Sequence, residues 1–433
     1  MKKCVYSIVL VLFYHISLFA GENIVNVKDF GAKGNGIFDD TRMIQEAIMY
    51  GASNGKIIFF PKGTYIVSTL HINASIEGEK NSIIKRKRIK NHGHYDFCKL
   101  GKQDGLSIKG LIFDANSAPL KEGNTSKGIP LFIFSSKNIN IEECEFVNSS
   151  MSGLRIENSS NISLNRCISR NSSGNFGDGF YFAKSKNILV KNSSSTNYTR
   201  IGFVVEDNSS DITFDNCHSS FGTNASVLKG GTEYNAGFWY ENSTNIYTTN
   251  CISYKNTHRG FVASSLRKGE DVAVFFFDNC ISQDNPIGFS LASKGEIPVD
   301  VMVTNSKALN VERGFVTTAN NLHDKFEFKN CEVQMRKISS KGLNYIGFMW
   351  ESPVSKVHKN YKELPVFIYS NVKVIYDKKE ELDVIMNLKS NNGDISTYSG
   401  GKAKIIIRGF TNSLTGNKPI LKARRGEPQY IQE

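Results

Sequence analysis

The sequence predicts an all-β solenoid, a parallel β-helix with an N-terminal capping helix, on three observations. A Gly-Phe pair recurs along the middle of the chain, a Cys or Ser recurs at a set place after it, and short alternating apolar stretches separated by Asn, Ser and Gly fill the intervals.

The chain opens MKKCVYSIVLVLFYHISLFAGE, with Lys2 and Lys3 before an apolar run from Val5 to Ala20 and then small residues. This is the pattern of a secretory signal, so residues 1–20 are expected to be removed and the product to be secreted or periplasmic. No later run of about 18 apolar residues follows, so no membrane span is expected in the remainder. Removing 20 of 433 residues and two lysines leaves 413 residues and lowers the formal charge from +12 to +10. A basic surface favours anionic partners, and export makes acidic polysaccharide the easiest to meet. Nucleic acid ranks low because the charge is spread along the chain.

Residues 21–377 carry the capped solenoid. Asp39, Asp40 and Thr41 precede RMIQEAI, in which Ile44, Ala47 and Ile48 share one helical face. Two adjacent aspartates can cut sugars, but at a helix start they accept free amide hydrogens and meet the positive end of the dipole. An open solenoid end needs such a cap to cover its core and strand edges.

The repeat units follow, with glycines at 153, 179, 202, 237, 260, 288, 314 and 347, each followed by Phe except Gly153, which is followed by Leu154, and a spacing of 23 to 35 residues. No single unit buries its own apolar face, whereas stacked units make one core. Alternation along a strand then sends Phe180, Phe203, Phe238, Phe261, Phe289, Phe315 and Phe348 inward as a column. Cys144, Cys167, Cys217, Cys251, Cys280 and Cys331 form a second column, with Ser193 and Ser306 in its gaps. Stacked buried thiols explain these cysteines better than disulfides or a metal, because a single file cannot surround an ion. Asn192, Asn216, Asn250, Asn279, Asn305 and Asn330 precede that column as turn residues. Residues 378–433 lose the Gly-Phe unit and read as the last turns and a C-terminal cap, with strands at Leu382–Leu388 and Lys404–Phe410.

The stretch VNVKDFGAKGNGIFDDTRMIQEAI with GKIIFFPKGTYIV from Gly55 resembles the entry module of the pectate lyase-like superfamily. With the repeats, the resemblance runs from about residue 24 to 377. It implies a right-handed parallel β-helix that handles carbohydrate along the groove of one sheet. It does not fix the reaction: the acidic and histidine elements of polygalacturonases are matched only by Gly177-Asp178-Gly179 and, loosely, by Thr257-His258-Arg259-Gly260.

Outward positions of the Gly-Phe strands are Arg155, Tyr181, Val204, Trp239 and Val262. Tyr181 and Trp239 are candidates for stacking on sugars, with surface aromatics packed under a loop as the alternative. Glu206 and Glu241 end adjacent strands, about 5 Å apart, the separation of the two carboxyls in a retaining glycosidase. The turns entering the strands carry Asp178, Arg200, His258, Arg259 and Arg313. A lyase acting on a uronate must neutralise a carboxylate, remove a carbon-bound proton and protonate the leaving oxygen. Arg200, His258 and Arg259 with Asp178 and Tyr198 supply such parts. Calcium can replace arginine in the first task, though nothing in the sequence requires a cofactor. The expectation is an exported enzyme cleaving an acidic, uronate-containing polysaccharide, by β-elimination ahead of hydrolysis. The alternatives are a uronate epimerase and a non-catalytic glycan-binding or surface-interaction protein on the same scaffold. Lys85-Arg86-Lys87-Arg88 reads equally as a contact for an anionic glycan or as a charge-guarded strand edge, and His92 and His94 read as a loop ahead of a metal pair.

Overall fold

The structure, a computed structural model, describes residues 23–88, 96–117, 128–223, 235–265, 272–293, 297–336, 345–352, 364–376, 393–397, 403–423 and 429–432. The chain winds as a right-handed parallel β-helix with three faces. The Gly-Phe strands, among them Asp178–Ala183, Ile201–Glu206, Ala236–Glu241 and Arg259–Ser264, form the first face. Lys186–Lys191, Ser210–Asp215 and Thr244–Thr249 belong to the second, and Ser194–Tyr198, His218–Ser220 and Ile252–Tyr254 to the third. Strand after strand pairs with its counterpart one coil on, as in Phe180↔Phe203, Phe203↔Phe238 and Phe238↔Phe261.

That register stacks the phenylalanines face to face, at 4.9 Å for Phe180 on Phe203, 4.8 Å for Phe203 on Phe238 and 4.9 Å for Phe238 on Phe261. The column continues through Phe289 and Phe315 to Phe348. Its rings also meet Phe214 and Phe277 from the second face edge-on, so one apolar core runs the length of the coil.

The cysteine column is buried and every member is a free thiol. Ser193 and Ser306 fill its gaps: each hydroxyl accepts from the amide of the cysteine one coil back, Cys167 at 3.1 Å and Cys280 at 3.0 Å. The asparagines before it adopt left-handed backbone, with φ of 50° at Asn192 and 53° at Asn216. They form an exposed ladder of amide hydrogen bonds, Asn216 donating to Asn192 and Asn192 to Asn165, each at 2.9 Å.

The repeated glycine has a steric cause. A Cβ on Gly179 would lie 1.9 Å from Ser195 Oγ, and one on Gly237 would lie 2.2 Å from Ser253 Oγ. The third face ends so close to the start of the first that only glycine fits.

The helix Thr41–Asn54 turns Ile44, Ala47 and Ile48 into the same core. Of the two aspartates to which the sequence assigns the capping, only Asp39 bonds a helix amide. Asp39 accepts from the Thr41 amide at 3.1 Å and pairs with Lys87 at 2.9 Å. Asp40, fully buried, makes no side-chain bond to the helix; it accepts from the amides of Lys33 at 2.6 Å and Gly34 at 3.0 Å. The preceding loop brings those amides closer to Asp40 than the helix brings its own. Lys85 pairs with Asp114 at 3.5 Å, so Lys85 and Lys87 of the basic run are held by neighbouring carboxylates.

Toward the end of the chain, Lys404–Asn412 pairs with Val366–Ile375, and Gly393–Thr397 pairs with Ile346–Glu351, so these strands extend both sheets. Leu382–Leu388, the stretch 1–20 and the His92/His94 pair lie outside the described residues.

Candidate functional site

Outside the first face, Tyr181, Ala183, Ile201 and Val204 form a small apolar cluster separate from the interior, with Trp239 packed against it. Charged side chains ring this cluster. Asp178, fully buried, binds the guanidinium of Arg200 with both oxygens, Oδ1 to Nε at 2.7 Å and Oδ2 to Nη2 at 2.6 Å. The same Nη2 lies 3.6 Å from Glu206 Oε1, and Tyr181 donates its hydroxyl to Glu206 Oε2 at 2.9 Å. Arg155 lies over the Tyr181 ring at 4.0 Å and pairs with Glu157. Arg200 lies over the Phe176 ring at 5.2 Å, and Arg259 lies over Trp239 at 5.5 Å.

This packing sets the protonation states. Burial alone works against the Arg200 cation, but Asp178 and Glu206 more than reverse that and hold it protonated. Glu206 is pushed up from the ordinary carboxylate range, first by burial and then by Asp178 and Glu241; Arg200 and the Tyr181 hydroxyl pull the other way. Tyr181 is raised by burial and by the Glu206 charge. Glu206 thus keeps its proton to higher pH than an exposed glutamate, and Glu241 follows it one coil on.

Several expected placements differ. Tyr181 and Trp239 do point outward, but Tyr181 is only 7% exposed because Arg155 from the adjacent coil covers its ring. It is a support for Glu206, not an open sugar platform. Tyr198 is expected among the catalytic groups, yet it is buried, bonded to Ser219 at 2.7 Å and to the Asn256 side chain. It closes a polar corner, because its position on the third face points inward. Asp178 has no access to a substrate and acts only through Arg200. His258 and Arg259 do not join Arg200: the amide of Ala236 bonds Arg200 O and that of Arg259 bonds Asn235 O, so His258 stands two coils from Arg200, roughly 10 Å. Arg313 is two coils beyond Arg259, through Ile287. Phe176 escaped the sequence reading, although an aromatic between Gly174 and Gly177 in a polar turn is a usable signal.

Among the described residues no three His, Cys, Asp or Glu side chains gather around a metal-sized space. Nor do Asp178 and Glu206 suit calcium, since the guanidinium between them occupies the place of a cation. No helix among the described residues is long and apolar enough to cross a membrane.

A three-faced coil with a charged, aromatic-floored outer face defines a class, the parallel β-helix proteins of pectate lyase type. The fold is that of the right-handed parallel β-helices of pectate lyase type, and residues 24–233, just under half of the chain, match the family described as rhamnogalacturonase A/epimerase, pectate lyase-like. Over 190 residues it is 31% identical to plasmin and fibronectin-binding protein A of Streptococcus pneumoniae, covering 40% of this chain and 24% of that protein. It is 28% identical over 144 residues to the pre-neck appendage protein of Bacillus phage phi29, covering 30% of this chain and 16% of that one. The chain thus spans a quarter or less of the length of these relatives. Among solved structures, an exopolygalacturonase from Thermotoga maritima superimposes with a TM-score of 0.59 at 14% identity, over 82% of this chain and 92% of that one. The S. pneumoniae surface adhesin PfbA gives 0.53 at 16% identity, over 92% and 95%. At these identities the structural likenesses concern the fold.

Proposed function

We propose that the chain is an exported carbohydrate-active enzyme that cleaves an acidic polysaccharide on the outside of the first face, with Glu206 as proton donor and Glu241 as its paired carboxylate. The observation that carries this reading is the environment of Glu206: burial raises its proton affinity, Tyr181 and Arg200 orient it, and a second glutamate stands one strand spacing away. A spacing of about 5 Å suits a retaining hydrolase. The formal charge of +12 suits an acidic polymer, while on the rim itself Arg155 is paired with Glu157 and Arg200 with Asp178 and Glu206. This favours hydrolysis over the β-elimination expected from sequence, because elimination needs a proton acceptor and Asp178 keeps the Arg200 guanidinium charged.

The test is incubation of the purified protein with a panel of uronate polymers, following reducing ends, product stereochemistry and the ultraviolet signal of unsaturated ends. New reducing ends with retained configuration, lost in Glu206→Gln and in Glu241→Gln, support the reading; unsaturated ends restore elimination. A second reading is surface adhesion, supported by the 190-residue similarity to the plasmin and fibronectin-binding protein. Binding to a polymer or protein without turnover, unchanged in Glu206→Gln, favours it.

A further inference from the structure

At the corner where the third face ends, one left-handed residue per coil forms a column: Asn148, Asn171, Asn197, Phe221, Lys255, Asp284 and Asn310, with φ between 51° and 61°. Asparagine suits this place because it tolerates left-handed backbone and its amide bonds the neighbouring coil, as Asn171 does to Asn148 at 3.3 Å and Asn197 to Asn171 at 3.5 Å. Phe221 breaks both habits. Its φ is 57°, a region costly for a bulky side chain, and it ends the amide ladder. Its ring is 45% exposed, so no core packing repays the strain. On the next coil Tyr254 meets it edge-on at 5.7 Å, and the Lys255 ammonium lies 5.0 Å from the centre of the Tyr254 ring.

We propose that Phe221, Tyr254 and Lys255 form an accessory binding site for an anionic sugar polymer. The exposed Phe221 ring offers an apolar surface to a pyranose, and the Lys255 ammonium, held over Tyr254, pairs with a uronate carboxylate. The site occupies the corner that leads into the first face, on the coils carrying Arg200 and Trp239, so a long chain seated there is directed toward that face. Its ligand class rests on the reading above, but its action is binding, which can be measured without turnover.

The experiment uses the full chain carrying Glu206→Gln and measures retention on immobilised polygalacturonate, with a neutral glucan as contrast. Phe221→Asn is expected to weaken retention about fivefold or more while raising Tm by about 1–2 °C through relief of backbone strain. Lys255→Gln is expected to weaken retention on polygalacturonate while the contrast glucan is unaffected. With Glu206 intact, hydrolysis of short oligosaccharides is expected to be unchanged in Phe221→Asn; if hydrolysis is absent altogether but retention depends on Phe221, only the catalytic reading falls. Unchanged retention in Phe221→Asn overturns the proposal, as does a loss of retention accompanied by a lower Tm.

Discussion

Asp178 grips Arg200 with both carboxylate oxygens, at 2.7 and 2.6 Å, from a position with no solvent exposure. The pair joins two successive coils and fixes the guanidinium between Phe176 and Glu206. Asp178→Asn leaves a mostly buried cation with only the more distant Glu206 as counter-charge and is expected to cost about 3 kcal/mol, read as a lower urea midpoint. Asp178→Asn combined with Arg200→Met is expected to recover part of that loss; strictly additive costs for the two changes would show that the pair does not act as a unit.

In the proposed hydrolysis Glu206 is expected to set the pH behaviour. Its proton affinity is raised in the folded chain, so a proton-donating role lasts to higher pH than for an exposed glutamate and fails as pH rises through that raised value. The Tyr181 hydroxyl stabilises the ionised form, so Tyr181→Phe is expected to move the alkaline limb of the rate profile to higher pH. A limb that stays put or moves down would remove Tyr181 from this role.

Asp324 is pushed up to about 6 by burial, against hydrogen bonds from Ser293, the Asn321 amide and the Val299 amide. Below pH 3.8, the ordinary value, both folded and unfolded states hold the proton and the contribution of this group to stability is complete. As pH rises toward 6 the unfolded chain ionises first, so that contribution is lost. Asp324→Asn is expected to flatten the dependence of the urea midpoint between pH 4 and 6, whatever it does to the overall level.

The thiols are expected to be silent in the folded protein. Cys167, Cys280 and Cys331 are pushed up to about 12 by burial, so little thiolate forms at neutral pH. An alkylating reagent should label the described cysteines only as fast as the coil unfolds; rapid labelling under native conditions would contradict the buried column.

Phe238 stacks on Phe203 and Phe261 and meets Phe214 edge-on. Phe238→Ala removes contacts on three sides in a core that cannot collapse around one missing ring, and is expected to cost about 3–5 kcal/mol in thermal or urea unfolding. A cost near that of a surface change would argue against a continuous column.

The sequence by itself determined the rungs. Repetition of the same short motif, even at intervals that vary from 23 to 35 residues, brings equivalent residues into columns, so the inward phenylalanines, the thiol ladder with its serine substitutes and the asparagine turns were all legible before any coordinates. The apolar face of the capping helix was legible for the same reason, since Ile44, Ala47 and Ile48 can meet the core only together. Only the tertiary structure decided the site. Which long side chains cross from one coil to the next depends on lateral reach, and the repeat carries no record of it: Arg155 covers Tyr181, Arg200 turns to Asp178 rather than toward His258, and Tyr198 faces inward to Asn256. Backbone register is a periodic property and can be read in one dimension, whereas contacts between side chains on neighbouring coils are set by distance and charge in three.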